Sequence, residues 1–305
     1  MDNTRLPQNR RVSILKKLIV IIPVILFLSL LVTVICLLVS NHRLKEQIAE
    51  YENGALLKNP QVTYDHSGVF ESRGVDVVKG YDALSKREDA LEEGMMRQVY
   101  LTFDDGPSIY TNEILDILKK YDVKATFFVL AKSDEESLAA YQRIVDEGHT
   151  LAMHSFSHNY SRIYESVESF SEDISKIQEF LYENTGVWCR IYRFPGGSSN
   201  SVTKVPVGDL ITYLNDMGIT YFDWNIVSND AIKGTTLSAE TIRQNCVGPI
   251  GKYDECVILM HDSKDRHTTV EALPLIIEDI KARGDCQILP ITDETVPVQH
   301  RAVEK

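Results

Sequence analysis

The chain has 305 residues, 44% of them apolar and 9% aromatic, enough to bury a sizeable core. That composition excludes a wholly disordered or collagen-like polymer. With 32 Lys and Arg against 44 Asp and Glu the net charge is −12, the wrong sign for displacing counterions from phosphates, so a nucleic-acid partner is excluded.

The charge is uneven along the chain. Residues 1–50 hold seven basic and three acidic side chains, whereas 51–305 carry a net −16, which implies two environments. Between the basic pairs Arg10-Arg11 and Lys16-Lys17 and the acidic remainder lies LIVIIPVILFLSLLVTVICLLV, 22 residues (18–39) without a charge. As a helix it would span about 33 Å, close to the roughly 30 Å of a bilayer core. It is longer than the 7–15 residues or so of a signal-peptide core, and no small-x-small site follows in VSNHRLKEQ. A retained single-pass anchor is therefore expected, with a cytoplasmic tail at 1–17 and the remainder outside the cell. Residues 40–96 read as an extracellular stalk or linker, polar and weakly periodic.

From residue 97 short apolar runs alternate with amphipathic stretches. The predicted strands are QVYLTF (98–103), KATFFVL (124–130), HTLAMH (149–154), RIYRF (190–194), TYFDW (220–224), VILMHD (257–262) and QILPI (287–291). The predicted helices between them cover 112–121, 136–148, 167–186, 207–218, 238–246 and 269–284. Such alternation implies βαβ units and a largely parallel α/β sheet, open or closed into a barrel, over a domain at 97–292 with a C-terminal tail at 293–305. Of the five cysteines, Cys36 falls in the apolar span; Cys189, Cys246, Cys256 and Cys286 allow two disulfides in three connectivities or four thiols, and sequence does not choose.

In parallel folds reactive groups gather at the C-terminal strand ends. Here those positions carry Asp104 and Asp105, His154, Arg193, Asp223 and His261. No Gly-rich phosphate loop, nucleotide fingerprint or serine elbow competes with them, so no nucleotide partner is expected. His154 and His158 are four apart, a spacing that lets two imidazoles share a metal, with a carboxylate the usual third ligand of a catalytic site. Side chains of adjacent residues at a strand end diverge. Asp105 can therefore ligate while Asp104 faces the attacking water as base.

TFDDGPS, HSFSH, RFPGG, FDWN and LMHDS, in this order, resemble the five motifs of the polysaccharide deacetylases, the fourth carbohydrate esterase family. The resemblance covers about residues 97–292. It implies a distorted (β/α) barrel and hydrolysis of acetyl groups with one divalent metal ion, zinc before cobalt. It implies metal ligation by Asp105, His154 and His158, with Asp104 as general base paired to Arg193. His261 would be the general acid, supported by Asp223, and the Gly196 N–H the oxyanion donor. Trp224, Leu259 and Pro195 would line the substrate pocket. Many members carry an aromatic residue where this chain has Gly196, so the groove is expected to be differently walled.

A tethered enzyme outside the cell works close to the membrane, so peptidoglycan amino sugars are the expected substrate. Poly-N-acetylglucosamine, chitin oligomers and acetylxylan are the alternatives within the same chemistry. A non-catalytic glycan-binding ectodomain is the alternative outside it.

Overall fold

The computed structural model describes residues 96–232 and 234–302. The expected cytoplasmic tail, membrane helix and stalk, up to residue 95, lie outside the described residues. Among the described residues no helix is long and apolar enough to cross a membrane.

β1 (Arg97–Asp104) is buried along nearly its whole length, the signature of a parallel strand covered on both faces. Its alternation sends Val99, Leu101 and Phe103 into a core beneath the helices. Tyr100 belongs to a second, smaller cluster with Phe128, Ala152, Ile191, Phe222 and Val257, which fills the inside of the curled sheet. Asp104 falls in phase with Tyr100 and so stands at the C-terminal end of the inner face.

The other strands are β2 (Thr126–Leu130), β3 (Thr150–Ser155), β4 (Ile191–Tyr192), β5 (Thr220–Tyr221), β6 (Ile226–Val227), β7 (Glu255–His261) and β8 (Cys286–Ile288). They run in the order β5-β4-β3-β2-β1-β7-β6, every pair parallel. β8 joins β1 at Arg97–Val99, while β2 takes the later stretch Thr102–Asp104 of the same strand. The helices are α1 (Thr111–Lys120), α2 (Glu135–Asp146), α3 (Tyr160–Ile163), α4 (Val167–Thr185), α5 (Val207–Asp216), α6 (Ala239–Val247) and α7 (His267–Arg283). Asp134, Asn159, Ser166 and Ser238 cap four of them through side-chain oxygens, each accepting from an amide three residues on.

Two departures from the sequence reading have physical causes. The run TYFDW is broken, because the Asp223 amide donates to Val298 O instead of a sheet neighbour. The chain then turns and re-enters the sheet as β6, so there are eight strands rather than seven among the described residues. β5 and β6 are the two edges of the curl, and no ladder joins them.

The segment after residue 292 is not a tail beyond the domain. Ile291 and Val298 are buried in the inner cluster, and residues 298–301 bond to β5 and the loops after β4 and β5. Gln299 donates to Tyr221 O (3.1 Å), His300 N to Asp223 Oδ2 (2.7 Å) and Arg301 N to Ser198 Oγ (3.0 Å). The domain thus runs past the expected boundary. Cys189, Cys246, Cys256 and Cys286 are free thiols, and burial pushes the Cys189 and Cys256 thiols up to about 12.

Candidate active site

Three donors converge at the ends of β1 and β3. Asp105 Oδ1 lies 3.2 Å from His158 Nε2 and 3.6 Å from His154 Nε2. Ligand atoms around one cation at about 2.1 Å would be roughly 3.0–3.5 Å apart, so the separations fit a single ion. Two further features support that fit. His154 Nδ1 pairs with Arg193 O at 2.8 Å, which makes Nδ1 the protonated nitrogen and leaves Nε2 as the lone-pair donor. Asp105 Oδ1 is buried without a hydrogen-bond partner among the described residues, an orphan that a cation would satisfy.

Burial first, then the neighbouring His154, pushes the His158 imidazole below its ordinary pKa, toward the neutral ligand form. Asp105 (φ 74°) and His158 (φ 49°) both occupy the left-handed region. Side chains other than glycine cost of order 1–2 kcal/mol there, so the surrounding fold holds both ligands against local preference.

The loop bearing the histidines is organised by Asp173 of α4. Its carboxylate, buried, accepts from Ser155 Oγ (2.7 Å), Phe156 N (2.9 Å), Ser157 N (3.0 Å) and Ser157 Oγ (2.7 Å). Ser155 Oγ in turn accepts from the His158 amide at 2.8 Å.

Asp104 stands beside this triad with its two oxygens in different surroundings. Oδ1 accepts from Arg193 Nη1 at 2.8 Å, while Oδ2 is 3.9 Å from His154 Nε2. Arg193 is fully buried. It also donates to Thr102 Oγ1 (2.7 Å), Phe222 O (3.0 Å) and Asp223 O (3.0 Å), and its guanidinium stacks 4.0 Å over the Phe128 ring. A buried charge so fully bonded is a fixed part of the site.

His261 is the register partner of Asp104 across the β1–β7 ladder. Its Nδ1 pairs with Asp230 Oδ1 (2.8 Å) and its amide donates to Asp230 Oδ2 (2.9 Å). Burial opposes the charged imidazole, but the hydrogen bond and charge of Asp230, with Asp104 and Asp105 beyond, outweigh it and raise the pKa above 6.5. Against its own burial, Asp230 is held below the usual carboxylate range by His261.

This corrects the expectation for Asp223. That carboxylate does not support His261: it accepts from Ser198 N (2.8 Å), Ser198 Oγ (2.5 Å) and His300 N (2.7 Å). It therefore staples the loop after Arg193 to residue 300.

Of the remaining predicted residues, Leu259 is nearly buried and in phase with His261 on β7. Trp224 is half-buried, edge-on to His300 with centroids 5.0 Å apart. Pro195 is buried and its carbonyl accepts from Tyr164 Oη at 2.8 Å. Gly196 is exposed with φ 79°. The Gly197 amide is spent on Phe194 O (2.8 Å), whereas that of Gly196 has no protein acceptor among the described residues.

A sequence profile described as "Polysaccharide deacetylase" matches residues 92–222. A peptidoglycan-N-acetylglucosamine deacetylase of Bacillus cereus is 33% identical over 212 residues, covering 66% of this chain and 72% of that protein. The catalytic domain of a peptidoglycan N-acetylglucosamine deacetylase from Eubacterium rectale superimposes with a TM-score of 0.62 at 37% identity, covering 71% of this chain and 97% of that structure. The chain belongs to the polysaccharide deacetylase family. It is by that membership a hydrolase, and metal dependence is a property of the family that its donor set fits. The Bacillus subtilis protein YheN is 36% identical over 190 residues, which span 62% of this chain and 65% of that relative.

Three residues of this deacetylase site escaped the sequence reading: Asp230, Asp173 and Asp262. Asp262 is buried and accepts from Ser108 Oγ (2.5 Å) and Thr111 Oγ1 (2.6 Å), tying the strand end of His261 to the loop after Asp105. A usable signal existed for Asp262 and Asp230. The first directly follows His261, and the second ends Ser228-Asn229-Asp230 after an apolar pair.

Proposed function

We propose that this deacetylase removes N-acetyl groups from a cell-wall polysaccharide, peptidoglycan amino sugars foremost, releasing acetate at the outer face of the membrane that residues 18–39 would span. The observation that carries the chemistry is the pairing of Asp104 and His261 as register neighbours, with the Asp105–His154–His158 triad alongside. Two relatives bearing the name peptidoglycan-N-acetylglucosamine deacetylase favour the substrate. The uncharged apolar run and its basic flank favour the location.

Asp105, His154 and His158 would hold one divalent ion, zinc by the nitrogen-rich donor set, whose contribution is to polarise the acetyl carbonyl and acidify water. Asp104 Oδ2 takes the proton of the attacking water while Oδ1 stays bonded to Arg193. The Gly196 amide donates to the carbonyl oxygen as it gains charge. His261, held by Asp230 at Nδ1, delivers a proton from Nε2 to the departing nitrogen, which leaves as a free amine.

Acetate release by the full chain in detergent, across peptidoglycan, chitooligosaccharides and acetylxylan, tests the reading. Release from peptidoglycan that a chelator abolishes and zinc restores is the expected result. No acetate from any of the three would overturn it. Fractionation and protease accessibility of the full chain in cells test the location, with a soluble chain the outcome that refutes it.

A further inference from the structure

The surroundings of Gly196 hold an unassigned aromatic. A Cβ placed on Gly196 would stand 3.1 Å from Tyr160 Cε1 and 3.4 Å from its hydroxyl oxygen. The Tyr160 ring therefore fills the space a side chain at 196 would claim. With φ at 79°, glycine is also what the backbone there prefers. Tyr160 opens α3, two residues beyond the ligand His158, and its ring meets the His158 ring edge-on with centroids 5.4 Å apart. On its other side it packs on Tyr164, at 6.0 Å, whose own hydroxyl holds Pro195 O. One half-buried ring thus touches both the metal-ligand loop and the oxyanion loop.

Its hydroxyl finds no protein hydrogen-bond partner among the described residues, unlike that of Tyr164. A tyrosine fixed by packing on its ring, with its polar tip unspent beside a reactive centre, has the amphipathic character used to grip a ligand that is apolar on one face and hydroxylated on the other. A pyranose answers that description. An acetamide whose carbonyl oxygen accepted from Gly196 N–H would lie against this ring.

We propose that Tyr160 is a specificity-determining residue of this site: its ring walls the groove beside Gly196 and its hydroxyl bonds an oxygen of the acetamido sugar. The proposal rests on the deacetylase reading and names the group by which the chain selects a glycan over a small acetyl compound.

The test compares the full-length wild type, Tyr160→Phe and Tyr160→Ala on an N-acetylglucosamine tetramer and on 4-nitrophenyl acetate, with bound metal quantified in each. Tyr160→Phe keeps the wall and loses the hydrogen bond. It should raise KM for the tetramer about 2- to 10-fold with little change in kcat. Tyr160→Ala should lose more, and its loss in kcat/KM on the tetramer should exceed that on the ester about tenfold. Should the alanine variant lose metal, the phenylalanine variant decides. A phenylalanine variant with unchanged KM for the tetramer, or equal losses on both substrates, overturns this proposal alone. A wild type that releases no acetate overturns the deacetylase reading and this proposal with it.

Discussion

Asp223 and Asp230 sit seven residues apart, just beyond the two edge strands, and both carboxylates are buried. Asp223 accepts hydrogen bonds from neutral donors, two from Ser198 and one from the His300 amide, and the His300 ring stays 3.9 Å away, beyond bonding distance. Asp230 accepts from Thr269 Oγ1 (2.8 Å) and from His261, through both its amide and its ring. Residue type and burial are the same, so the partner decides the role. A carboxylate hydrogen-bonded only by neutral groups fixes a shape, whereas one bonded directly to an imidazole also sets a proton affinity.

The widest separation of the two should appear in catalysis. Asp230→Asn removes the charge that raises the His261 pKa, so the imidazole loses its proton at lower pH. Activity that needs the protonated acid is lost as pH rises through that pKa; in the variant the alkaline limb of kcat/KM therefore moves to lower pH. Weakened acid catalysis should also cut kcat, within the roughly 10²–10⁴-fold that such groups contribute. A pH–rate profile checks both, and a limb that stays in place breaks the comparison.

Asp173 sharpens it from the other side. It too accepts only from neutral donors, but the loop it gathers carries the metal ligands. Asp173→Asn should weaken metal affinity about 10–100-fold, the usual cost of disturbing a ligand's support. Titration of the stripped protein with zinc, followed by calorimetry, reads the change.

The smallest effect on chemistry belongs to Asp223→Asn. An amide nitrogen would face donors, leaving buried groups unpaired at about 1–3 kcal/mol. For a domain of this size that is a fall of roughly 2–4 °C in Tm per kcal/mol. The alkaline limb should not move. Thermal unfolding alongside the same pH profile tells a staple from a proton-tuning group.

Much of this was legible in the residues themselves. β1 announced itself as an apolar run ending in two acids, and the histidine pair by its spacing. Arg193 declared its place at a strand end, because a parallel sheet collects those ends on one side. The role of Asp223 beside His261 rested on the resemblance of FDWN, which gives an order of motifs along the chain and not the partner of each carboxylate in space. Asp230 hides after a two-residue strand too short to show periodicity, and only the pairing of Ile226 and Val227 with Ile258 and Leu259 brings it to β7. Val298 was unreadable because its burial comes from an inner cluster built of strands far away in sequence, which no local pattern encodes. The four cysteines could not be assigned because pairing is a matter of distance, and the fold keeps each as a thiol.

The bonds from residues 298–301 to Ser198, Tyr221 and Asp223 have a consequence for the order in which the molecule can be made. Asp104 is laid down near the start of the domain, yet the loop presenting Gly196 is pinned by residues some two hundred positions later. A growing chain that has only reached β8 possesses every reactive side chain and still lacks the clasp that sets them. Competence should arrive abruptly, once residues 298–301 are in place, rather than strand by strand.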